Sequence, residues 1–200
     1  MERSKSAQVI MLAKKRGLLR SRDLQEFSIP REYLRRLTAS GHLEKLDRGL
    51  YALPGAEVSE THSLAEVAKR FPSGVICLLS ALRFHEITTQ NPFQVWMAVG
   101  VDARAPKSAG VPIRIVRFSG CALTSFIEEH FVDGVPVKVY SPAKTIADCF
   151  KYRNKIGLDV SIEALKDVWQ QRKATIDEIW AAAKVCRVTT IIRPYLEAIV

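Results

Sequence analysis

The stretch that decides the fold of the first part of the chain is residues 18–53, LLRSRDLQEFSIPREYLRRLTASGHLEKLDRGLYAL. Ser21 is a good helix N-cap, and Asp23 in the first turn suits the positive end of a helix dipole. Leu24 and Phe27 follow three residues apart, which puts both side chains on one face. We therefore predict a two-turn helix that buries Leu24 and Phe27.

A second short helix is predicted directly after the first. Pro30 is preorganised for a first helical turn, and Ser40-Gly41 supplies the signal that ends the helix. Leu34 and Leu37 lie between these signals at helical spacing, so we expect both to face inward. Their burial would fix the rotation of this helix and leave its opposite face to solvent.

The flanking segments complete a winged helix-turn-helix pattern. An apolar stripe at residues 9–13, closed by Gly17, predicts a helix before the stretch. Two short apolar segments, 43–46 and 50–53, flank Asp47-Arg48-Gly49, a turn whose glycine can take a positive φ. Three short helices followed by a hairpin are typical of the winged helix-turn-helix.

In a helix-turn-helix, the second helix of the motif enters the major groove and its outward side chains meet base edges and phosphates. Arg31, Arg35 and Thr38 share the face opposite Leu34 and Leu37. An arginine fork can bond guanine O6 and N7 together, and a threonine can contact a phosphate or a thymine methyl. The expected contacts to double-stranded operator DNA are base edges and phosphates for Arg31, Arg35, Arg36 and Thr38, backbone phosphates for Arg20 and Arg22, and an adjacent minor groove for Arg48.

The positive charge of the chain is concentrated in the same region. The 200 residues carry 30 Lys/Arg and 21 Asp/Glu, a formal net charge of +9. Residues 1–55 hold 12 of these basic and 6 of these acidic side chains, so they carry two thirds of the surplus. Such a surplus favours polyanionic partners. An arginine-rich helix face taken alone is as readily explained as a solvated surface, and the order of the elements is what favours DNA.

The remainder of the chain alternates helical and extended patterns. Pro54-Gly55 ends the hairpin, so we place a domain boundary near residue 56. Residues 1–55 are predicted to form the winged helix-turn-helix domain, and residues 56–200 an α+β domain with a small sheet covered by helices. The expected helices are 62–71, 78–86, 142–150, 160–171, 176–186 and 190–199, and the expected strands are 95–99, 113–118 and 135–140, the last near a sheet edge because of Pro136.

The composition excludes several classes of protein. With 48% hydrophobic and 26% charged residues, the chain is typical of a globular protein. Its uncharged runs are shorter than the ~18 apolar residues of a membrane span, and charges interrupt the apolar stretch near the start. We therefore expect no membrane segment, no secretory signal and a cytoplasmic location. Four scattered cysteines indicate neither a disulfide framework nor a zinc site, and we expect each to be a core residue.

Sequence patterns of catalytic sites are weak throughout. The four histidines form no H-E-x-x-H motif, and the chain has no glycine-rich phosphate loop and no G-x-S-x-G elbow. Glu128-Glu129-His130 could suggest a metal site, but adjacent carboxylates on a helix point to different faces. We predict no catalytic residue, no metal and no cofactor, and hence a protein that is not an enzyme.

The run from residue 141 to residue 153 has two interpretations. In the first it forms an interaction surface, with Lys144, Lys151 and Arg153 as exposed basic residues that contact a partner protein. In the second it is a capped amphipathic helix that packs on the sheet, with Lys144 and Asp148 paired at i,i+4. Periodicity explains most of the run and so favours the second.

Seven segments of the sequence form a recognisable set. They are LLRSRDL (18–24), IPREYLRRL (29–37), RGLY (48–51), LLSALRFH (78–85), TTQ (88–90), VRFSG (116–120) and VKVYSPAKTIADCFKYR (137–153). The first three resemble the N-terminal winged-helix domain of the AbiEi family of antitoxins, and the other four resemble the C-terminal part of the same family. The similarity covers nearly the whole chain, and SPAKTIAD is its most specific piece.

The resemblance implies a DNA-binding repressor of its own operon that also acts as an antitoxin, paired with a nucleotidyltransferase toxin of the AbiEii type. Because one small winged helix contacts few bases, we expect two copies to bind the operator. Two alternatives remain open. One is a stand-alone winged-helix regulator whose second domain senses a ligand, and the other is a nucleic-acid-modifying enzyme with convergent acidic residues in a cleft.

Overall fold

The computed structural model describes residues 5–16, 18–47, 49–54, 61–88, 90, 92–103 and 111–199. These residues fall into two compact units. The first unit contains the described residues up to Pro72 together with Val111 and Phe131–Val137, and the second contains the others. The predicted boundary near residue 56 lies outside the described residues. The helix that follows it, His62–Arg70, groups with the first unit.

The first unit has the element order of a winged helix. Its elements are α1 (Lys5–Arg16), β1 (Leu18–Arg20), a 3₁₀ turn (Gln25–Phe27), α2 (Glu32–Ala39), β2 (Glu44–Asp47), β3 (Leu50–Ala52) and α3 (His62–Arg70). Strand β3 lies between β1 and β2 and is antiparallel to both, with Tyr51 opposite Leu19 on one side and Lys45 on the other. The predicted winged helix-turn-helix and its hairpin are confirmed.

A small apolar core holds the winged helix together. Its buried members include Val9 from α1, Leu19 from β1, Leu34 and Leu37 from α2, and Leu43 just before β2. The helices α1 and α2 have 12 and 8 residues, and isolated helices shorter than ~12–15 residues are marginal in water. The elements therefore depend on the burial of these side chains for their stability.

The predicted helix over residues 21–27 is wrong in two respects. The segment forms a turn and a single 3₁₀ turn, and Phe27 is 46% exposed, whereas Leu24 is buried as expected. Ser21 does not cap a helix, since its hydroxyl donates to the carbonyl oxygen of Gly49 at 3.4 Å. The Asp23 carboxylate instead accepts the Arg20 backbone N–H at 2.8 Å, which closes a local turn.

A five-stranded mixed sheet and a layer of helices make up the rest of the fold. The sheet has the order β6-β5-β4-β8-β7, in which β5 and β6 are parallel, β4 and β5 antiparallel, and β4 and β8 parallel. The strands are β4 (Val75–Ile76), β5 (Val95–Gly100), β6 (Ile113–Phe118), β7 (Ile127–Val132) and β8 (Val135–Tyr140), and the helices are α4 (Leu78–Phe84), α5 (Cys121–Thr124), α6 (Pro142–Lys151), α7 (Arg153–Ile156), α8 (Leu158–Gln170), α9 (Ile176–Cys186) and α10 (Thr189–Glu197). The α+β class is confirmed, as are the three predicted strands.

The sequence patterns did not predict two of the strands of the sheet. Strand β4 has only two residues, and β7 contains Glu128-Glu129-His130, so neither shows an apolar alternation. Strand β8, expected near an edge, lies between β4 and the edge strand β7. Pro136 is tolerated there because β4 pairs with β8 at Val139, near the opposite end of the strand.

Two of the helices after the sheet, α6 and α9, begin with a capping side chain, and the start predicted for α6 from Ser141 and Pro142 is correct. Ser141 accepts the backbone N–H of Lys144, and Pro142 occupies the first turn of α6. Helix α9 begins with a capping box in which the Thr175 side chain and the Glu178 side chain bond each other's backbone N–H groups. Among the cysteines, Cys77, Cys149 and Cys186 are buried as expected, whereas Cys121, at the start of α5, is exposed.

None of the helices in the described part of the chain is long and apolar enough to cross a membrane.

Gly49 provides a test of the hairpin. Its φ of +77° lies in the left-handed region, and a Cβ there would meet Ser21 Oγ at 3.1 Å. We expect Gly49→Ala to lower the free energy of unfolding by about 1 to 2 kcal/mol in a urea titration, because a side chain is strained in this conformation. The control is Gly100→Ala, whose Cβ would make an ordinary 3.6 Å contact with Leu123. Equal losses in the two variants would contradict the assignment.

Candidate nucleic-acid interface

Helix α2 presents one apolar and one basic face. Leu34 and Leu37 are 1% and 6% exposed, whereas Arg31, Arg35 and Arg36 are all exposed. This division follows from the 3.6-residue period, because burying the two leucines turns the arginines outward. The predicted orientation of the helix is therefore confirmed, and three guanidinium groups are available on one surface.

The neighbours of these side chains restrain them only weakly. Arg36 Nε lies 3.6 Å from Glu32 Oε1, and both side chains are more than half exposed. Surface pairs of this kind contribute about 0 to 1 kcal/mol, so DNA phosphates could displace the glutamate. Thr38 is half-buried, and its hydroxyl donates to the Leu34 carbonyl oxygen at 2.8 Å. Thr38 therefore retains its methyl group and its acceptor lone pairs for a DNA contact.

The two arginines predicted to meet phosphates differ in their surroundings. Arg22 is exposed, whereas Arg20 is half-buried at the end of β1. Burial, together with the positive charge of Arg22, lowers the pKa of the Arg20 guanidinium to about 10. Arg20 thus remains charged at neutral pH, as a phosphate contact requires. Arg48, the predicted minor-groove contact, lies outside the described residues.

The turn that carries these arginines is tied to helix α3. Asp23 Oδ2 accepts the Arg20 backbone N–H at 2.8 Å and lies 2.7 Å from Lys69 Nζ. The Asp23 and Lys69 side chains are only 10% and 13% exposed. A second ion pair on α3 joins Arg70 to Glu66 at 2.6 Å. Sequence reasoning missed Lys69, because no local spacing links it to Asp23.

The first unit therefore combines a winged-helix frame, an arginine face on α2 and a basic turn after β1. Residues 7–54 match a family model described as "Transcriptional regulator, AbiEi antitoxin". The resemblance to the AbiEi antitoxins is thus confirmed for this N-terminal region. The match supports a DNA-binding regulator, a role for which the arrangement of α2 is suited.

Two other comparisons concern the whole chain. No sequence among the curated proteins matches it. The crystal structure of the RV2827C protein from Mycobacterium tuberculosis is similar over 100% of this chain and 81% of that one, with 14% sequence identity and a TM-score of 0.54. At this level of identity the similarity shows the fold alone.

The run SPAKTIAD contains the N-cap and most of the buried helix α6, and this corrects one predicted site residue. Lys144 was expected on an exposed rim, but its side chain is 0% exposed. Its Nζ lies 2.5 Å from Asp148 Oδ2, and 4.1 Å and 4.8 Å from the ring centroids of Tyr140 and Phe118. The amphipathic-helix interpretation, with its i,i+4 pair, is the correct one for Lys144.

A thiol completes the surroundings of the buried pair. Cys186 Sγ, on α9, donates to Asp148 Oδ1 at 3.3 Å. Burial, together with the negative charge of Asp148, raises the pKa of the Cys186 thiol to about 12, so the thiol keeps the proton that it donates. Burial also raises the pKa of Asp148, an effect that Lys144 opposes. These bonds join α6 to α9 within the second unit. This structural role explains why the three side chains lie together, and no catalytic role is needed to explain it.

The two remaining candidates for a partner contact lie at the end of the same helix. Lys151 is exposed. Arg153 is half-buried, and its guanidinium donates to the Phe150 carbonyl oxygen at 3.0 Å, which caps the end of α6. Their role in binding a partner stays a prediction.

The described residues contain no group of three or more His, Cys, Asp or Glu side chains that could hold a metal ion. His130 Nε2 lies 3.1 Å from Glu128 Oε2, so these two residues pair with each other. His85 Nε2 bonds the Tyr140 carbonyl oxygen at 2.7 Å, and burial lowers the pKa of this histidine.

The buried pair on α6 gives a stability prediction. Lys144→Met should lower the free energy of unfolding by about 3 to 5 kcal/mol, because it leaves the Asp148 carboxylate buried without its cation. The double variant Lys144→Met/Asp148→Leu should recover most of this loss, since it removes both charges. Lys151→Met, on the exposed end of the same helix, is the control and should change stability by less than about 0.5 kcal/mol. Equal effects of Lys144→Met and Lys151→Met in urea unfolding would exclude a buried pair.

Proposed function

We propose that the chain is a DNA-binding transcriptional repressor that also acts as the antitoxin of a toxin-antitoxin operon. Residues 1–55 would contact the operator, and residues 56–200 would counteract the toxin. The observation that carries the proposal is the exposed arginine face of α2, opposite Leu34 and Leu37, within a segment that matches a regulator family. We propose no catalytic activity for the chain itself.

In the proposed complex, α2 lies in the major groove. Arg31 and Arg35 stand one helical turn apart, so they can reach neighbouring base pairs, where a guanidinium can bond guanine O6 and N7 together. Arg36 and Thr38 would contact phosphates or a thymine methyl. Arg20 and Arg22 would bind backbone phosphates and hold the register of the protein, and Arg48 would enter the adjacent minor groove.

Two copies on the operator would give the specificity that one copy lacks. A genome offers ~10⁶ or more competing sites, and a single small winged helix reads too few bases to select one of them. A second copy on a repeated half-site raises the effective concentration of the second contact. We therefore propose that the operator contains two half-sites upstream of the chain's own gene.

The DNA-binding assignment can be tested on base-reading and phosphate-binding arginines separately. We expect Arg35→Ala to weaken operator binding by about 1 to 3 kcal/mol and to relax preference at one base pair. Arg22→Ala should weaken binding to all sequences alike and reduce the slope of log affinity against log salt by about one unit. Gel-shift titrations at several salt concentrations measure both effects.

The control for these variants is Lys166→Ala, which removes an exposed charge from α8. It should leave operator affinity unchanged within error. If Arg31→Ala and Arg35→Ala bind the operator as the unaltered protein does, α2 is not the recognition helix.

The proposed toxin is a nucleotidyltransferase of the AbiEii type, bound by the second part of the chain. Such an enzyme holds its metal ions with acidic residues, so a basic partner surface near its active site would be electrostatically complementary. Lys151 is the exposed candidate for this surface, and Arg153 lies two residues further along the chain. Lys144 is not part of this surface, because its side chain is buried.

Co-expression separates neutralisation by contact from repression of transcription. The toxin is expressed from a foreign promoter with full-length Arg35→Ala/Arg36→Ala, which should still rescue growth because its second unit is unaltered. Lys151→Glu/Arg153→Glu should lose rescue, since the new charges would repel an acidic surface. If the α2 double variant fails to rescue while the charge-reversed variant succeeds, neutralisation depends on DNA binding and the proposed division of labour is wrong.

A ligand-sensing regulator is the second candidate function, and one feature favours it. An open cavity of about 500 Å³ lies between α9 and α10, lined by Ile176, Trp180, Arg193, Leu196 and Glu197. Mainly apolar pockets with a few charged groups are the usual form of small-molecule sites. A toxin reading frame beside the gene would favour the antitoxin, and its absence would favour the sensor.

A further inference from the structure

We propose that Lys69 is a positioning residue for DNA binding, which acts through Asp23 on the turn that carries Arg20 and Arg22. The inference rests on the proposed function, because that function assigns both arginines to backbone phosphates. It extends the DNA-binding machinery into α3, a helix beyond the segment that matches the regulator family.

The geometry of the turn is the first argument. The Asp23 backbone N–H donates to the Arg20 carbonyl oxygen at 2.9 Å, and the Asp23 carboxylate accepts the Arg20 backbone N–H at 2.8 Å. Both polar groups of the Arg20 backbone are therefore bonded to one residue. Arg22 lies inside the loop that these bonds close, so the direction of its side chain depends on the position of Asp23.

Lys69 fixes the carboxylate that closes this turn. Its Nζ lies 2.7 Å from the same oxygen, Oδ2, that accepts the Arg20 N–H. Because both side chains are nearly buried, water screens the pair much less than it screens a surface ion pair. Without Lys69, the nearly buried carboxylate would lose this cation, and the turn that the carboxylate closes would lose the support of α3.

Packing makes α3 a firm support for Lys69. The helix packs against β1, the strand that ends at Arg20. Five consecutive residues of α3, from Leu64 to Ala68, are buried, and the Glu66–Arg70 pair lies in the turn that contains Lys69. Lys69 is therefore held by a packed helix, which is the support that a precisely placed binding group needs.

The test uses full-length variants and gel-shift titration with both promoter DNA and unrelated DNA. Lys69→Met should weaken binding to both DNAs by about fivefold, because phosphate contacts do not discriminate sequence. Lys69→Arg should bind nearly as the unaltered protein does, since it keeps a cation beside Asp23. Lys184→Met is the matched control, because Lys184 also lies in the last turn of its helix and its loss changes the net charge equally.

A double-mutant cycle separates positioning from direct contact. If Lys69 positions the turn, Arg22→Ala should cost less affinity in the Lys69→Met background than in the unaltered protein. Asp23→Asn should weaken binding as Lys69→Met does, and the two changes together should add little. Two results together would overturn the inference: the effects of Lys69→Met and Arg22→Ala add, and Lys69→Met keeps its full effect in the Asp23→Asn background. They would show that Lys69 binds phosphate itself.

The outcomes distinguish this inference from the proposed function. If Arg35→Ala weakens binding but Lys69→Met and Asp23→Asn do not, only the positioning role fails. If the unaltered chain has no preference for its promoter, the proposed function fails. Circular dichroism shows whether each variant is folded. If Lys69→Met is unfolded, the cycle is made with Asp23→Asn and Arg22→Ala instead, and it decides whether the turn is positioned through Asp23.

Discussion

The burial of Leu34 and Leu37 is the constraint on which the proposed DNA-reading surface depends. Both side chains belong to the core that also contains Leu19 and Leu43. Leu19 lies in strand β1 of the small sheet, and Leu43 lies just before strand β2. An eight-residue helix has little stability of its own, so α2 exists because this face is buried. Once the two leucines are inside, helical geometry leaves the arginines no other direction than outward. A structural requirement of the core thus places the functional groups.

The second unit contains the opposite case, in which a charged group is part of the core. Lys144 and Asp148 are paired, surrounded by aromatic rings and bonded to Cys186. A buried pair of this kind adds little net stability compared with apolar side chains, but either charge alone would be costly. An arrangement of α6 and α9 that separated the two charges would therefore be costly. The pair disfavours such alternatives but adds little to the free energy of unfolding of the fold that forms. Both residues of the pair belong to the run SPAKTIAD, at whose start Ser141 caps α6.

Local patterns predicted the elements whose residues carry a periodic or capping signal. Ser141 and Pro142 marked the start of α6 correctly, and the alternation of Val135, Val137 and Val139 identified β8. The pattern failed where a distant partner decides the conformation. The turn at Asp23 is set by bonds to Arg20 and Lys69. The burial of Lys144 does not follow from the sequence, because an i,i+4 pair has the same spacing on a surface and in a core.

The same reasoning explains why the break in composition and the end of the first unit differ. Pro54 and Gly55 mark where the hairpin stops, which is a property of the local chain. Compactness depends instead on contacts, and the contacts of the first unit extend through α3 to Pro72. The Lys69–Asp23 pair belongs to that longer unit and lies beside the arginines of the basic turn. Lys69 is far from Asp23 along the chain, but its charge neutralises the Asp23 carboxylate. The positive charges of Arg20 and Arg22 are then not offset by that carboxylate. The proposed DNA-binding surface would therefore depend on a residue outside the segment that matches the family model.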